Sequence, residues 1–434
     1  MSLTLVGILG IAILMLLLFV FGMPVGFAMA LVGFGGFSYI INFNAGVNMV
    51  SQEFWSVFSK YGLTVIPLFV FMGQIAFYSG VNDRLYRAAY KWVGHIRGGI
   101  AMATIMACAA FAAICGSNTA TAATMTTVAF PQMSNFRYKP MLSCGAIACG
   151  STLGVVIPPS VVLIIIGLST EQSIARLFYG GIGAGLLLCL LMLLTVYVVC
   201  RLNPEWGPAG PKSGLAERIR SLSGAVEMLI LFFLIMTGLY AGYFTPSEAG
   251  GAGAFFAVVI SLVQRTLSWE NFKKAVMDTL RVSCMVIMLI AGAMILGKFL
   301  TITRIPFNMA SWVAGLNVPD PIILAVIFGM YTLGGAIMDA LALLLITIPI
   351  FFPVASQMGC DPIWFAVLIT VVTTLGAVTP PVGATTYVVA GMAKGSTLNE
   401  VFKGVTFFLP AYLICIVLLM VCPWIITLLP GLLS

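Results

Sequence analysis

The sequence predicts an all-α polytopic membrane protein built as two inverted-topology repeats, each with about five crossings, a re-entrant hairpin and a broken helix. Composition, a proline pattern that recurs at one fixed offset, and the distribution of cations carry that prediction. Hydrophobic residues make up 61% of the 434-residue chain and charged residues 8%, and mean hydropathy is +1.13. A soluble fold averages about 25% charged residues. Runs such as 3–21, 178–200 and 404–422 are long enough for a ~30 Å hydrocarbon core, which takes about 20 residues. The amino-terminal run lacks a basic region before it, so it is expected to be a retained span, not a cleaved leader.

The prolines reveal the duplication. Pro24, Pro131, Pro140, Pro158 and Pro159 each have a proline 222 positions later, at Pro246, Pro353, Pro362, Pro380 and Pro381. Pro67 is the exception and lands on Leu289. At ~5% proline, roughly 0.3 coincidences are expected in one register. The nonapeptides "TLGVVIPPS" and "TLGAVTPPV" are the most visible part of the pattern. Residues 1–200 form the first repeat, 201–224 a cytoplasmic linker and 225–434 the second repeat.

Each half then reads in the same order. In the first, scaffold helices occupy 1–97: spans at 3–21, 25–41 and near 63–78, then the amphipathic stretch "VNDRLYRAAYKWVGHIRGG". A hairpin and a broken helix fill 98–170. The hairpin, 99–133, is interrupted at "CGSNTA", and the helix is broken over 154–159; a closing helix follows at 178–200. In the second half the corresponding segments are 226–244, 246–264, 282–300, 301–316, 319–357, 363–392 and 404–428, with the hairpin and broken helix at 319–392.

The cations orient this plan, because lysine and arginine concentrate in cytoplasmic loops. If 99–133 enters and leaves on one side, each half crosses an odd number of times and the second half is inverted. Of the twenty lysines and arginines, only Lys60, Arg176, Lys298 and Arg304 then fall outside the cytoplasm. Both termini come out periplasmic. Treating 99–133 as a true span scatters this bias.

The breaks have a chemical reading. Proline offers no N–H to the carbonyl four residues back, so Gly154, Val155, Gly376 and Ala377 lose helical partners. Unwound backbone at this depth must be buried in protein or line a cavity, and carbonyls at half-helix ends suit small cations. The first hairpin tip adds Ser117, Asn118 and Thr119. At the equivalent position to Ser117 the second half has Asp339, and an intramembrane carboxylate is a functional candidate by default; its plainer role is a helix N-cap. Glu248, two residues beyond Pro246, reads as a structural acid at a helix start.

Several function classes are disfavoured. The ten cysteines form no CxxC pair, so neither disulfides nor zinc ligands are expected. "GAMILGKF" imitates a phosphate-binding loop, but Phe299 stands where Ser or Thr must hold magnesium, so no ATPase is expected. One histidine and few acids offer no nucleophile–base or metal spacing for an intramembrane enzyme. Nothing points to nucleic acid.

"CGSNTATAATMTTVAFPQM", "STLGVVIPPS", "GLYAGYFTPSEAGGAGA" and "TLGAVTPPVGATTYV" resemble the large membrane subunit of tripartite ATP-independent periplasmic (TRAP) transporters. The resemblance runs from end to end. It implies a bacterial inner-membrane importer of organic acids in the ion transporter superfamily, coupled to sodium and moving by an elevator-like shift of hairpins and broken helices against a scaffold. It implies two partners, a small four-helix membrane subunit and a soluble periplasmic substrate-binding protein, and no cofactor besides the coupling ion. One sodium site then matches Ser117, Asn118 and Thr119 with Gly154, Val155 and Pro158. The other matches Asp339 with Thr373, Gly376, Val378 and Pro381. Ser160, Thr379 and Thr385, the hydroxyls flanking the breaks, are the expected substrate contacts. The alternative is a stand-alone sodium/anion symporter of the same architecture.

Overall fold

Why the chain folds as a doubled set of helices is visible at each proline and cap. The computed structural model describes residues 2–314 and 318–432, with side chains at 223–225, 227–228, 310 and 313–314 outside the description. The two chain ends and part of the predicted 301–316 segment therefore lie outside the described residues. The described secondary structure is wholly helical.

The 222-residue offset holds at the level of helix boundaries. Gly99–Cys115 and Asn118–Asn135 form the first hairpin; Asp320–Ile337 and Ala340–Gln357 form the second. Pro140–Ser151 with Leu153–Val156, then Val161–Thr170, make the first broken helix; Pro362–Val378 and Ala384–Met392 make the second. Pro140 and Pro362 sit in the first turn, where proline's missing N–H costs nothing. Pro158–Pro159 and Pro380–Pro381 are both cis.

Packing obeys the same relation. Val25–Ile40 packs on Trp269–Ile302, and their counterparts, Pro246–Val263 and Val65–Tyr78, pack on each other. These four helices make a frame. In the remainder, Val161–Thr170 packs on Ala340–Gln357, while Ala384–Met392 packs on Asn118–Asn135. Each half thus lends one arm of its broken helix to the other half's hairpin, as a two-fold axis requires. The hairpins and broken helices form a second unit, here called the core unit.

The frame is held by glycine. A Cβ on Gly26 would lie 2.9 Å from the Met288 carbonyl oxygen, and one on Gly33 would lie 2.7 Å from the Leu296 nitrogen. Backbones this close pack through van der Waals contact, the main attraction available between helices in lipid.

Two differences separate the halves. The first divides into the amphipathic helix Phe43–Ser59, the 3₁₀ turn Tyr61–Thr64 and the helix Val65–Tyr78 what the second builds as the single 34-residue helix Trp269–Ile302. Conversely, the continuous helix Ile174–Leu202 corresponds to Leu398–Thr406 and Leu409–Val421, which meet at 42°. Among the described residues seven helices are long and apolar enough to cross a membrane, or eight with that bent pair. Leu3–Phe19 and Val25–Ile40, with 17 and 16 residues, are shorter than the ~20 residues a perpendicular span takes.

Candidate functional site between the hairpin tips

Both hairpin tips reach one cavity of about 370 Å³, within the range of small-molecule sites. Ser117, Asn118, Thr119, Val155 and Asp339 line it, together with frame residues including Gln74 and Met285. Five of the residues expected to bind sodium therefore share one space. No lysine or arginine is among its lining residues.

The first tip is built by glycine and an N-cap. Gly116 ends Gly99–Cys115 in the left-handed region at φ 63°. A Cβ there would meet the Pro159 carbonyl oxygen at 2.8 Å, so only glycine allows the tip to lie against the break. Ser117 caps the next helix by accepting from the Ala120 N–H at 3.4 Å, and its Oγ lies 3.3 Å from the Thr119 Oγ1. Asn118 is buried and its Oδ1 accepts from the Thr119 N–H at 2.8 Å, whereas its Nδ2 has no partner among the described residues. Gly154 lies beneath this tip: its Cβ would meet the Ser117 carbonyl oxygen at 2.8 Å.

The second tip repeats the cap with a carboxylate. Asp339 Oδ2 accepts from the Leu341 N–H at 3.0 Å, and the side chain opens into the cavity. Capping and facing the cavity coexist. Met338, equivalent to Gly116, is extended at φ −133°, so the second tip turns differently.

The freed carbonyls are mostly not bare, a correction to the expectation from the prolines alone. Ser160 Oγ donates to the Val155 carbonyl at 2.5 Å. Thr379 Oγ1 donates to Gly376 at 3.0 Å, Thr385 Oγ1 to Ala377 at 2.9 Å and Thr386 Oγ1 to Val378 at 3.0 Å. Buried polar groups demand partners, and hydroxyls placed just beyond each break supply them. Gly154 alone of the four freed carbonyls takes no hydrogen bond among the described residues. A carbonyl has two lone pairs, so an engaged one retains an acceptor site.

Other predicted residues lie off the cavity wall. Pro158, Ser160, Thr373, Gly376, Val378 and Thr385 are buried, Thr379 is half-buried and Pro381 is exposed. Gly376 and Thr373 pack on the first arm of the second hairpin, where a Gly335 Cβ would meet the Thr373 carbonyl oxygen at 2.8 Å. The Val382 and Gly383 N–H groups donate to the Ala336 carbonyl at 2.9 and 3.1 Å. The second break is thus fastened to its own hairpin. Glu248 closes a capping box with Thr245, in line with the structural reading. Gln74 was not anticipated; a lone amide on an apolar span was the available signal.

A larger cleft of about 510 Å³ lies between Leu215–Tyr240 and the first hairpin arm. Its lining is almost wholly apolar, with residues such as Ala113, Ile157 and Phe232, and offers little to an ion or an acid. The polar cavity between the tips is the candidate site.

Comparison with known proteins identifies the family. Residues 12–425 match the family described as "Tripartite ATP-independent periplasmic transporter, DctM component". The chain is 35% identical over 357 residues to the C4-dicarboxylate TRAP transporter large permease protein DctM of Pseudomonas aeruginosa, covering 81% of this chain and 83% of that protein. It is 29% identical to the sialic acid TRAP transporter large permease protein SiaM of Vibrio cholerae, covering 95% of each. The fold resembles the crystal structure of the Alcanivorax borkumensis YdaH transporter, at a TM-score of 0.63 and 13% identity over 87% of this chain and 88% of that one. The chain, a multi-span membrane protein and not an enzyme, belongs to the DctM family of large permease subunits of tripartite ATP-independent periplasmic transporters.

Proposed function

We propose that this permease is a sodium-coupled importer of an organic acid, delivered by a soluble periplasmic binding protein and carried through a complex with a small four-helix membrane subunit. One observation carries the sodium coupling: the cavity between the tips contains the Asp339 carboxylate and no lysine or arginine lining. A carboxylate solute entering beside Asp339 meets a like charge in a partly desolvated space. A cation held there removes that repulsion, which makes ion and acid binding mutually dependent. The named solutes of two relatives, a C4-dicarboxylate and sialic acid, share a carboxylate and support the acid class.

In this reading Ser117, Asn118, Thr119 and the Gly154 and Val155 carbonyls supply oxygens for one sodium ion. Asp339 supplies the charge at the second tip, with Thr373, Gly376 and the 378–381 loop behind it. The charge bias places the linker in the cytoplasm and the termini in the periplasm, so the repeats are inverted. The core unit slides past the frame as an elevator.

Thermal-shift screening of the cognate binding protein against organic acids names the solute. Uptake of that radiolabelled acid is then measured in proteoliposomes holding both membrane subunits, with the loaded binding protein outside. An inward sodium gradient is expected to drive accumulation, and potassium is not. Equal uptake in both salts excludes sodium coupling, and uptake without binding protein favours the stand-alone symporter.

A further inference from the structure

Within the frame and within the core unit, helix packing exchanges under the two-fold, but packing between them does not. Val65–Tyr78 packs on Gly99–Cys115, where a Gly73 Cβ would lie 3.0 Å from the Cys115 Cα. The mirror pair, Trp269–Ile302 and Asp320–Ile337, has no comparable packing among the described residues; Trp269–Ile302 packs on Ala340–Gln357 instead. Two internally symmetric bodies are displaced from each other.

The cavity wall measures the displacement. Val65–Tyr78 contributes Val70, Gly73 and Gln74; Trp269–Ile302 contributes Val282, Met285 and Val286. The two-fold partners of the first three, 222 positions on, are Gly292, Ile295 and Leu296. All three second-half positions stand ten residues nearer the helix start than symmetry puts them. At 1.5 Å per residue that register difference is ~15 Å. The displacement is toward the end of Trp269–Ile302 that the charge bias assigns to the cytoplasm. Reversing it gives the mirror-image state after a stroke of ~15 Å.

The same register names the residues that line the cavity in that state. They are Gly292, Ile295 and Leu296 with the partners of Val282, Met285 and Val286, which are Lys60, Leu63 and Thr64. We propose that Lys60 is a solute-capturing residue of the opposite, outward-open state, binding the carboxylate of the incoming acid there; the proposal rests on the elevator reading above. Lys60 stands exposed at the join between Phe43–Ser59 and Tyr61–Thr64. It has no ion pair or side-chain hydrogen bond among the described residues, whereas Lys298 is engaged by buried Glu53 at 3.4 Å. The adjoining segment already touches the core unit, since a Gly62 Cβ would lie 3.2 Å from Leu168 Cδ2. Because Lys60 corresponds to Val282, the stroke exchanges a cation for an apolar wall. The acid meets a lysine where it enters and none where it leaves.

Two measurements on the assembled transporter in proteoliposomes separate this proposal from the reading beneath it. With the screened acid as probe, Lys60→Gln is expected to raise the external half-saturation concentration up to about fivefold, of the order that one charge contact contributes. Lys60→Arg restores it, and the half-saturation for efflux and the sodium dependence stay unchanged. In the second measurement, Gly73→Cys oxidises with native Cys115 in the state described here, whereas Ile295→Cys/Ile337→Cys, the mirror pair, oxidises only in the other state. Cross-linking of both pairs with an unchanged external half-saturation in Lys60→Gln overturns the role of Lys60 alone. Absence of the mirror cross-link in protein that still transports overturns the displaced state and the elevator reading together.

Discussion

Ser117 and Asp339 hold the same place in the two halves: each caps the second arm of its hairpin through a side-chain oxygen, and both face one cavity. A serine and an aspartate at equivalent positions make the site chemically lopsided inside a symmetric fold. The negative charge belongs to one tip and the array of neutral oxygens to the other.

That difference separates two roles in uptake. Asn118→Ala and Asp339→Asn are each expected to raise the sodium concentration for half-maximal uptake about tenfold, with the thermal midpoint changed by only a few degrees. An N-cap replacement alone costs ~1 kcal/mol of stability and leaves sodium dependence where it was. Unchanged sodium dependence in both variants would leave Asp339 as a helix cap and Asn118 as a local partner of the Thr119 N–H.

The inverted arrangement is checked by labelling. Single cysteines are placed at Asn44, exposed at the start of Phe43–Ser59, and at Gly214 in a cysteine-free background. An impermeant thiol reagent is expected to reach Asn44→Cys in intact cells and Gly214→Cys only after permeabilisation. Reaction at Gly214→Cys in intact cells would remove the basis for inversion.

Pro158→Ala and Pro380→Ala each return an N–H to a break, in a setting where Ser160 and Thr385 already satisfy a neighbouring carbonyl. One hydrogen bond is worth about 1 kcal/mol net, so neither variant is expected to melt much differently without sodium. Added sodium should stabilise them less than the wild type, because the gain is RT ln(1 + [L]/Kd) and a weaker site yields a smaller gain. Wild-type sodium shifts in both would make the breaks devices of packing or motion.

Thr385→Val tests whether this hydroxyl serves the protein or the solute. In the structure it is buried and bonded to the Ala377 carbonyl. Removing it leaves a buried acceptor unpaired, at about 1–3 kcal/mol, so a lower thermal midpoint with an unchanged half-saturation for the acid is expected. The reverse outcome would establish Thr385 as a substrate contact.

Much of this is legible in the sequence because proline and charge act locally. The prolines marked both breaks and the duplication, and Asp339 announced itself as a carboxylate in an apolar run. The helix Phe43–Ser59 was missed because its sequence, with Asn44, Gly46 and Asn48 near its start, reads as a loop between spans. It rests against Trp269–Ile302, and tertiary packing of an amphipathic face supplies most helical stability. The engaged carbonyls were hidden for another reason. Thr385 and Ala377 are eight residues apart, a spacing that no helical period joins, and only the turn at the break brings them together. Gln74 gave a signal, yet its importance depends on which helix meets the tips, a long-range fact.

Gly26 and Gly33, pressed against the backbone of the opposite frame helix, bear on how the transporter is able to evolve. A protein that changes its cargo must vary side chains around its cavity while keeping the track on which the carrier runs. In the elevator proposed above that track is the frame, secured by the absence of side chains at Gly26 and Gly33, which lie against Gly292 and Leu296. The hairpin tips are therefore free to diversify toward new acids without touching these contacts, whereas a methyl group at Gly26 or Gly33 would displace the opposite backbone for every cargo alike.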